Sequence, residues 1–205
     1  MDDTSGGTDA TETELDRAAT AIREGKLVVY PTETVYGLGA DALDSTAIER
    51  AFEAKHRARD KPVSLAVPDV ESAKRYARPT ERELAFMEAF LPGPVTVLCE
   101  KLDVVPDVLT GGRSHVGVRI PDQSLALELL ERVSPITSTS ANVSGRESAT
   151  RIEELDAEIR DAAAVVLDGG ETGGTGSTVV HVERGEIVRR GENADEIETW
   201  LAAEE

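Results

Sequence analysis

Four cations fall within seven residues in Lys55-His56-Arg57-Ala58-Arg59-Asp60-Lys61-Pro62, inside a chain of 205 residues whose formal net charge is −18. Like charges set this close repel each other unless something anionic compensates them. The chemistry such a strip can do is anion neutralisation, above all of phosphate or carboxylate. A solvated helix end accounts for the same residues, because cations also favour helix C-termini. The direction of Lys55 tips the reading. Ile48, Ala51, Phe52 and Lys55 share the 3–4 spacing of one helix face, so the lysine ends the apolar stripe instead of the wet side. A lysine there points into a cleft or under a neighbouring loop.

Two further stretches could form the facing wall. Pro31-Thr32-Glu33-Thr34-Val35-Tyr36-Gly37-Leu38-Gly39 follows the apolar Leu27-Val28-Val29-Tyr30. A strand emptying into hydroxyls, a carboxylate and glycines is where α/β sheets place ligand loops. Local Thr turns explain it equally well. Pro135-Ile136-Thr137-Ser138-Thr139-Ser140-Ala141-Asn142-Val143-Ser144-Gly145 is a run of small hydroxyl and amide groups. It would let a ligand approach the backbone, or it caps a strand with Ser/Thr and Asx turns. Arg119, within Val116-Gly117-Val118-Arg119-Ile120, sits among apolar residues and needs a carboxylate partner, from a ligand or from an internal acid.

The elements that must position these groups alternate. Residues 1–11 have no apolar period and are expected as a disordered acidic tail. Thr11–Glu14 reads as a capping box before the stripe Leu15, Ala18, Ala19, Ile22, and Gly25 stops that helix. Strands are expected at Leu27–Tyr30, Val63–Val67, Val95–Cys99, Val116–Pro121 and Ala163–Leu167, with a hairpin from Ser177–Val182 and Ile187–Arg189. Helices are expected at Ser45–Lys55, Asp69–Ala77, Glu81–Phe90, Gln123–Val133, Glu153–Asp161 and near Ala194–Ala202, and a helical turn at Val104–Leu109. Gly169–Gly176 is glycine-rich without a P-loop or dinucleotide spacing, and reads as a hinge or a tight connection. Alternating helices and strands argue for one α/β domain with a twisted, open mixed sheet and flanking helices, spanning residues 12–205.

Composition excludes several classes. No run approaches the ~20 apolar residues of a membrane span, and no signal segment is visible, so a cytoplasmic location is expected. The single Cys99 excludes an internal disulfide framework, and its setting in Val95-Thr96-Val97-Leu98-Cys99 reads as core packing. Forty acids against 22 bases would repel nucleic acid and membrane phosphates at long range. Stable tRNA binding is therefore not expected. At ~1 M salt the Debye length shrinks to about 3 Å, which would screen the self-repulsion of such a surface, so a salt-loving source is a further expectation. No His/Cys cluster suggests a protein-bound metal.

Taken together, the quoted segments resemble the YrdC-like family, the threonylcarbamoyl-adenylate synthases. The resemblance rests on Lys55-x-Arg57 with Lys61-Pro62, on Ser140-x-Asn142, and on Tyr30-Pro31-Thr32-Glu33-Thr34-x-Tyr36-Gly37-Leu38. Supporting matches are Leu91-Pro92-Gly93-Pro94-x-Thr96, Gly117-Val118-Arg119-Ile120-Pro121 and Ser177-Thr178-Val179-Val180. They span roughly Leu15 to Gly191, in the short, single-domain form. Ala58 stands where the family often has proline, and Ala66 where many members have histidine.

The resemblance implies formation of threonylcarbamoyl-AMP and pyrophosphate from L-threonine, bicarbonate and ATP, and a downstream transferase complex that modifies tRNA. It implies Lys55 and Arg57 on the triphosphate, with Ser140 and Asn142 on phosphate or carbamate. Thr32, Tyr36 and Arg119 would hold threonine, with Ser177 and Arg189 at the nucleotide end. Mg²⁺ is expected on the phosphates, held by them and by water. Two rivals share the fold: an RNA-binding module, against which the charge weighs, and a carbamoyl-transfer domain, which normally sits in a longer chain with zinc-binding cysteines.

Overall fold

The structure, a computed structural model, describes residues 6–203, with side chains from residue 12. Ten strands and eight α-helices alternate along this span. Helix α1 (Gly6–Arg23) begins ahead of the expected capping box, which marks where a helix can start without obliging it to. Residues 1–5 of the expected tail lie outside the described residues, and 6–11 belong to α1. Gly25, at φ 72°, takes the left-handed conformation that ends the helix.

The strands form two sheets where one was expected. In the smaller, β1 (Leu27–Tyr30) lies between β2 (Gly37–Gly39), antiparallel, and β8 (Ala163–Val166), parallel. In the larger the order is β10 (Glu186–Arg189), β9 (Thr178–His181), β5 (Val95–Lys101), β6 (His115–Arg119), β3 (Ser64–Ala66), β7 (Ile136–Ser138). The two-residue β4 (Ala77–Arg78) pairs with β5. Both sheets mix parallel and antiparallel pairs, as the α/β reading required.

A buried hydroxyl joins them. Thr137 Oγ1 donates to the Leu38 carbonyl at 2.9 Å and accepts from the Ala40 amide at 3.0 Å. Isolated bridges at Gly37–Ser140 and Asp41–Ile136 continue the seam. Gly37 is needed there because a Cβ would meet the Tyr30 ring at 2.8 Å.

Helix stripes fill the space on either side. Leu15, Ala18, Ala19 and Ile22 of α1 meet Ala126, Leu129 and Leu130 of α6 (Ser124–Arg132) over Val28, Ala66 and Ile136. Over the larger sheet, α4 (Glu81–Phe90) presents Phe86 and Met87, and α8 (Ala194–Ala203) brings Trp200 edge-on to Phe86 at 5.0 Å. Each fully buried side chain of this kind contributes ~1.5–3 kcal/mol. Helix α4 starts on a complete capping box, Thr80 with Glu83. Cys99 is buried in this core, as expected of a packing residue.

Three expected helices differ in extent. The segment after Asp69 forms only α3 (Val70–Ala73), because Ala77 and Arg78 are drawn into pairing with β5. The turn near Val104 becomes α5 (Asp107–Thr110). The helix expected at Glu153–Asp161 divides into a 3₁₀ turn (Ile152–Glu154) and α7 (Ala157–Ala162). Between them Asp156 accepts hydrogen bonds from the Val143 amide and from Arg146, both at 2.7 Å. No helix among the described residues is long and apolar enough to cross a membrane.

Candidate functional site

Helix α2 (Ser45–Ala54) buries Ala47, Ile48, Ala51 and Phe52, and Asp44 caps its start by accepting from the Thr46 amide. This register leaves Lys55 at the C-cap with only 2% of its surface exposed. His56 then takes φ 47°, turning the chain out of the helix. The Lys55 ammonium donates to the carbonyls of Ser140 and Asn142, and the Lys55 carbonyl accepts from the Ser144 amide. The basic strip and the Ser140-x-Asn142 loop are thus stapled together. Burial, and secondarily the charge of Arg57, lowers the Lys55 pKa to about 7, against a smaller opposing effect of Asp156.

In front of this staple lies a cavity of about 450 Å³. Its floor is the face of the larger sheet, where Ser64, Thr96 and Gly117 meet. A Cβ on Gly117 would stand 2.2 Å from Ser64 Oγ, so only glycine keeps that surface flat. Residues 138–140 form one wall, Arg57, Lys61 and Pro62 another, and Ser177 with Val188 and Arg189 a third.

Among the described residues, five cations, Arg57, Lys61, Arg113, Arg119 and Arg189, border the cavity, and no aspartate or glutamate does. Among the described residues, all of these except Arg119 lack an ion-pair partner. Arg57 is held by donating to the carbonyls of Pro62 at 2.8 Å and Lys61 at 3.1 Å. Arg189 donates to the Ser177 carbonyl at 2.7 Å and its hydroxyl at 2.9 Å. Desolvation, with Arg189 as the next contribution, lowers the pKa of Arg57. Desolvation, then Arg119, lowers that of Arg189. Fixed guanidinium groups that repel one another need an anion between them.

Arg119 found its internal acid. It donates to Glu33 Oε1 at 3.0 Å and to Thr34 Oγ1 at 2.7 Å. Arg119 Nε and Glu33 Oε2 are both buried without a hydrogen-bond partner.

The tertiary structure brings Thr32, Arg57, Arg119, Ser140, Ser177 and Arg189 to the cavity surface. It keeps Lys55, Tyr36 and Asn142 behind it, and for each the reason is an internal partner. Tyr36 Oη donates to the Gly170 carbonyl at 2.8 Å and accepts from the Gly169 amide at 3.1 Å, which ties it to the glycine-rich loop. Asn142 Nδ2 donates to the carbonyls of Val143 and Arg146, each at 2.9 Å. The local-turn reading of the Thr-rich stretch holds, since Thr32 Oγ1 donates to the Val35 carbonyl at 2.6 Å, and the same residue borders the cavity.

The glycine-rich loop is pinned along its length. Gly173 and Gly174 amides donate to the carbonyls of Glu33 at 3.1 Å and Thr34 at 2.6 Å. It therefore packs across the Thr32–Thr34 turn and delivers Gly176 and Ser177 to the cavity. Sequence reasoning left Lys61, Arg113, Thr34, Ser138 and His115 without a role, although all border the cavity. Lys61 was legible as part of the strip. Arg113 follows two left-handed glycines, Gly111 and Gly112, in a turn that carries no functional signal.

The family model Sua5_yciO_yrdC, described as telomere recombination, matches residues 20–191. The chain belongs to this family. Threonylcarbamoyl-AMP synthase of Pyrococcus abyssi is 45% identical over 167 residues, which is 80% of this chain and 49% of that protein. The putative threonylcarbamoyl-AMP synthase of Methanocaldococcus jannaschii is 34% identical over 168 residues, 82% of this chain and 79% of that one. Among solved structures, P. abyssi Sua5 complexed with L-threonine superposes with a TM-score of 0.81 at 39% identity, covering 91% of this chain and 57% of that chain. The chain thus spans about half the length of the P. abyssi family member and most of the M. jannaschii one.

Proposed function

We propose that residues 12–205 carry an L-threonylcarbamoyladenylate synthase, which joins L-threonine, bicarbonate and ATP into threonylcarbamoyl-AMP with release of pyrophosphate. The observation that carries this reading is the cavity itself: five cations and no carboxylate among the described residues that border it, in a chain of net charge −18. The reaction brings two anions together, the carbamate of threonine and a nucleoside triphosphate. A carbamate oxygen attacks the α-phosphorus, and pyrophosphate leaves. Catalysis is then mostly positioning and charge neutralisation. One cation ~4 Å from a phosphate oxygen gains about 4 kcal/mol at an effective dielectric of ~20. Three rigid guanidinium groups outweigh the screened repulsion of surface carboxylates.

Arg57, with Lys61 and Arg113 beside it, is assigned to the triphosphate, and Ser140 to phosphate or carbamate. Arg189 and Ser177 serve the nucleotide end. Arg119 takes the threonine carboxylate, with Thr32 and Thr34 on the same wall. Lys55, Asn142 and Tyr36 act as positioning residues that hold the walls. Among the described residues no group of three His, Cys, Asp or Glu side chains could hold a metal ion. Mg²⁺ would therefore arrive with ATP, held by phosphate oxygens and water. The product passes to a tRNA-modifying transferase in the cytoplasm, and the acidic surface disfavours stable tRNA binding by this chain.

Incubation with ATP, bicarbonate and each amino acid in turn, followed by pyrophosphate release, tests the reading. Release with threonine alone is expected. Release independent of the amino acid, or none with any of them, refutes it.

A further inference from the structure

The cavity poses a charge problem for the substrate proposed above. An α-amino acid at neutral pH carries an ammonium as well as a carboxylate, and among the described residues the cavity wall offers five cations and no acid. A zwitterion placed there would have its ammonium facing guanidinium groups, which is repulsive. Hydroxyls of Thr32, Thr34, Ser138 and Ser140 could accept from the ammonium but supply no opposite charge.

One carboxylate lies directly behind that wall. Glu33 stands between Thr32 and Thr34, both of which border the cavity. Its Oε1 lies 3.0 Å from Nη2 of Arg119, itself a cavity residue, and its Oε2 is buried with no partner. Arg119 likewise has an unpartnered buried Nε, and only 7% of the residue is exposed. A partly buried ion pair with an unmade hydrogen bond from a buried atom on each side is costly to leave so. These two unpartnered atoms suit one ligand class: an α-amino acid, whose carboxylate complements the guanidinium and whose ammonium complements the glutamate.

We infer that Glu33 is the specificity residue for the substrate's α-ammonium, exchanging its hold on Arg119 for the amino group as the substrate carboxylate takes its place on the guanidinium. Before substrate binds, Glu33 compensates Arg119. On binding, the pair opens into two pairs of the same charge count, so the ligand's two charges enter without leaving an uncompensated one. Glycine amides help to hold the acid in reach. The Gly173 amide donates to the Glu33 carbonyl, and a Cβ on Gly173 would stand 2.8 Å from that oxygen.

This inference rests on the proposed threonine substrate, and the test separates the two. Calorimetric titration of the whole chain compares L-threonine with the matching 2,3-dihydroxybutanoate, which keeps the carboxylate and replaces the ammonium by a hydroxyl. The unaltered chain is expected to prefer threonine by about tenfold or more, the scale of a charge-assisted hydrogen bond. In Glu33→Gln that preference should collapse to within about threefold. The dihydroxy acid should bind as well as before or better, because Arg119 no longer has an internal anion to give up.

A purely structural role predicts otherwise: both ligands would weaken together, and that result overturns the inference while leaving the function standing. Equal affinity of the two ligands for the unaltered chain also overturns it, whatever the variant does. If Glu33→Gln fails to fold, that comparison on the unaltered chain decides the matter. Absence of any threonine binding by the unaltered chain removes the proposed function and this inference together.

Discussion

Replacing Lys55 by methionine tests the staple between the basic strip and the Ser140 loop. Methionine keeps the unbranched stem and removes the charge and the donor. Two carbonyls, of Ser140 and Asn142, lose their lysine partner. Each buried acceptor left unmade costs ~1–3 kcal/mol. The variant should therefore be less stable at alkaline pH, where the lysine of the folded chain is neutral and its burial costs little.

Burial lowers the folded-state pKa from 10.5 to about 7, so between those values the unfolded chain binds the extra proton. Stability then rises with pH across this window, and the penalty of the charged lysine is fully present below it. At ~1.4 kcal/mol per unit of pKa, the rise attributable to Lys55 between pH 7 and pH 9 is about 2 kcal/mol. That figure is an upper one, because two carbonyl acceptors favour the charged form.

Urea unfolding of both proteins at constant molar KCl, from pH 6 to pH 9, measures the difference directly. The deficit of Lys55→Met should be largest at pH 9 and shrink as pH falls toward 7. A deficit independent of pH would mean that Lys55 keeps an ordinary pKa in the folded chain, and the argument from burial would be wrong.

Other outcomes follow from the same geometry. Arg57→Ala should abolish threonine-dependent pyrophosphate release without unfolding, since its guanidinium donates to the carbonyls of Lys61 and Pro62 and forms no ion pair among the described residues; full activity removes the anion site. Arg119→Lys should chiefly raise the KM for threonine, because an ammonium cannot reproduce the bidentate fork, and an unchanged KM would remove that assignment. Thr137→Val should cost ~1–3 kcal/mol in thermal unfolding, as a fully buried hydroxyl that bridges the two sheets is lost. Lowering KCl from molar to tens of millimolar should destabilise the chain, since the net charge of −18 is then unscreened; equal stability at both refutes the salt-adapted reading.

Much of this protein was legible before any coordinate. The apolar stripe ending in Lys55 predicted a buried lysine, and hydrophobic period alone settles which way a helix face points. Alternating helices and strands required an α/β fold, and the motifs at Thr32–Tyr36, Lys55–Lys61 and Ser140–Asn142 marked the walls of one hollow. What the pattern could not decide was which groups face that hollow. Tyr36 and Asn142 carry the same donors and acceptors whether they serve a ligand or a neighbouring backbone, and only packing against Gly169–Gly170 and Val143–Arg146 decides between them. Arg119 needed a partner on any reading, but its choice of Glu33, 86 positions away, depends on strand β6 meeting the turn between β1 and β2 in space. Periodicity is a local property of the chain, so it reports burial. Charge compensation is a property of distance, and distances between remote residues exist only once the chain has folded.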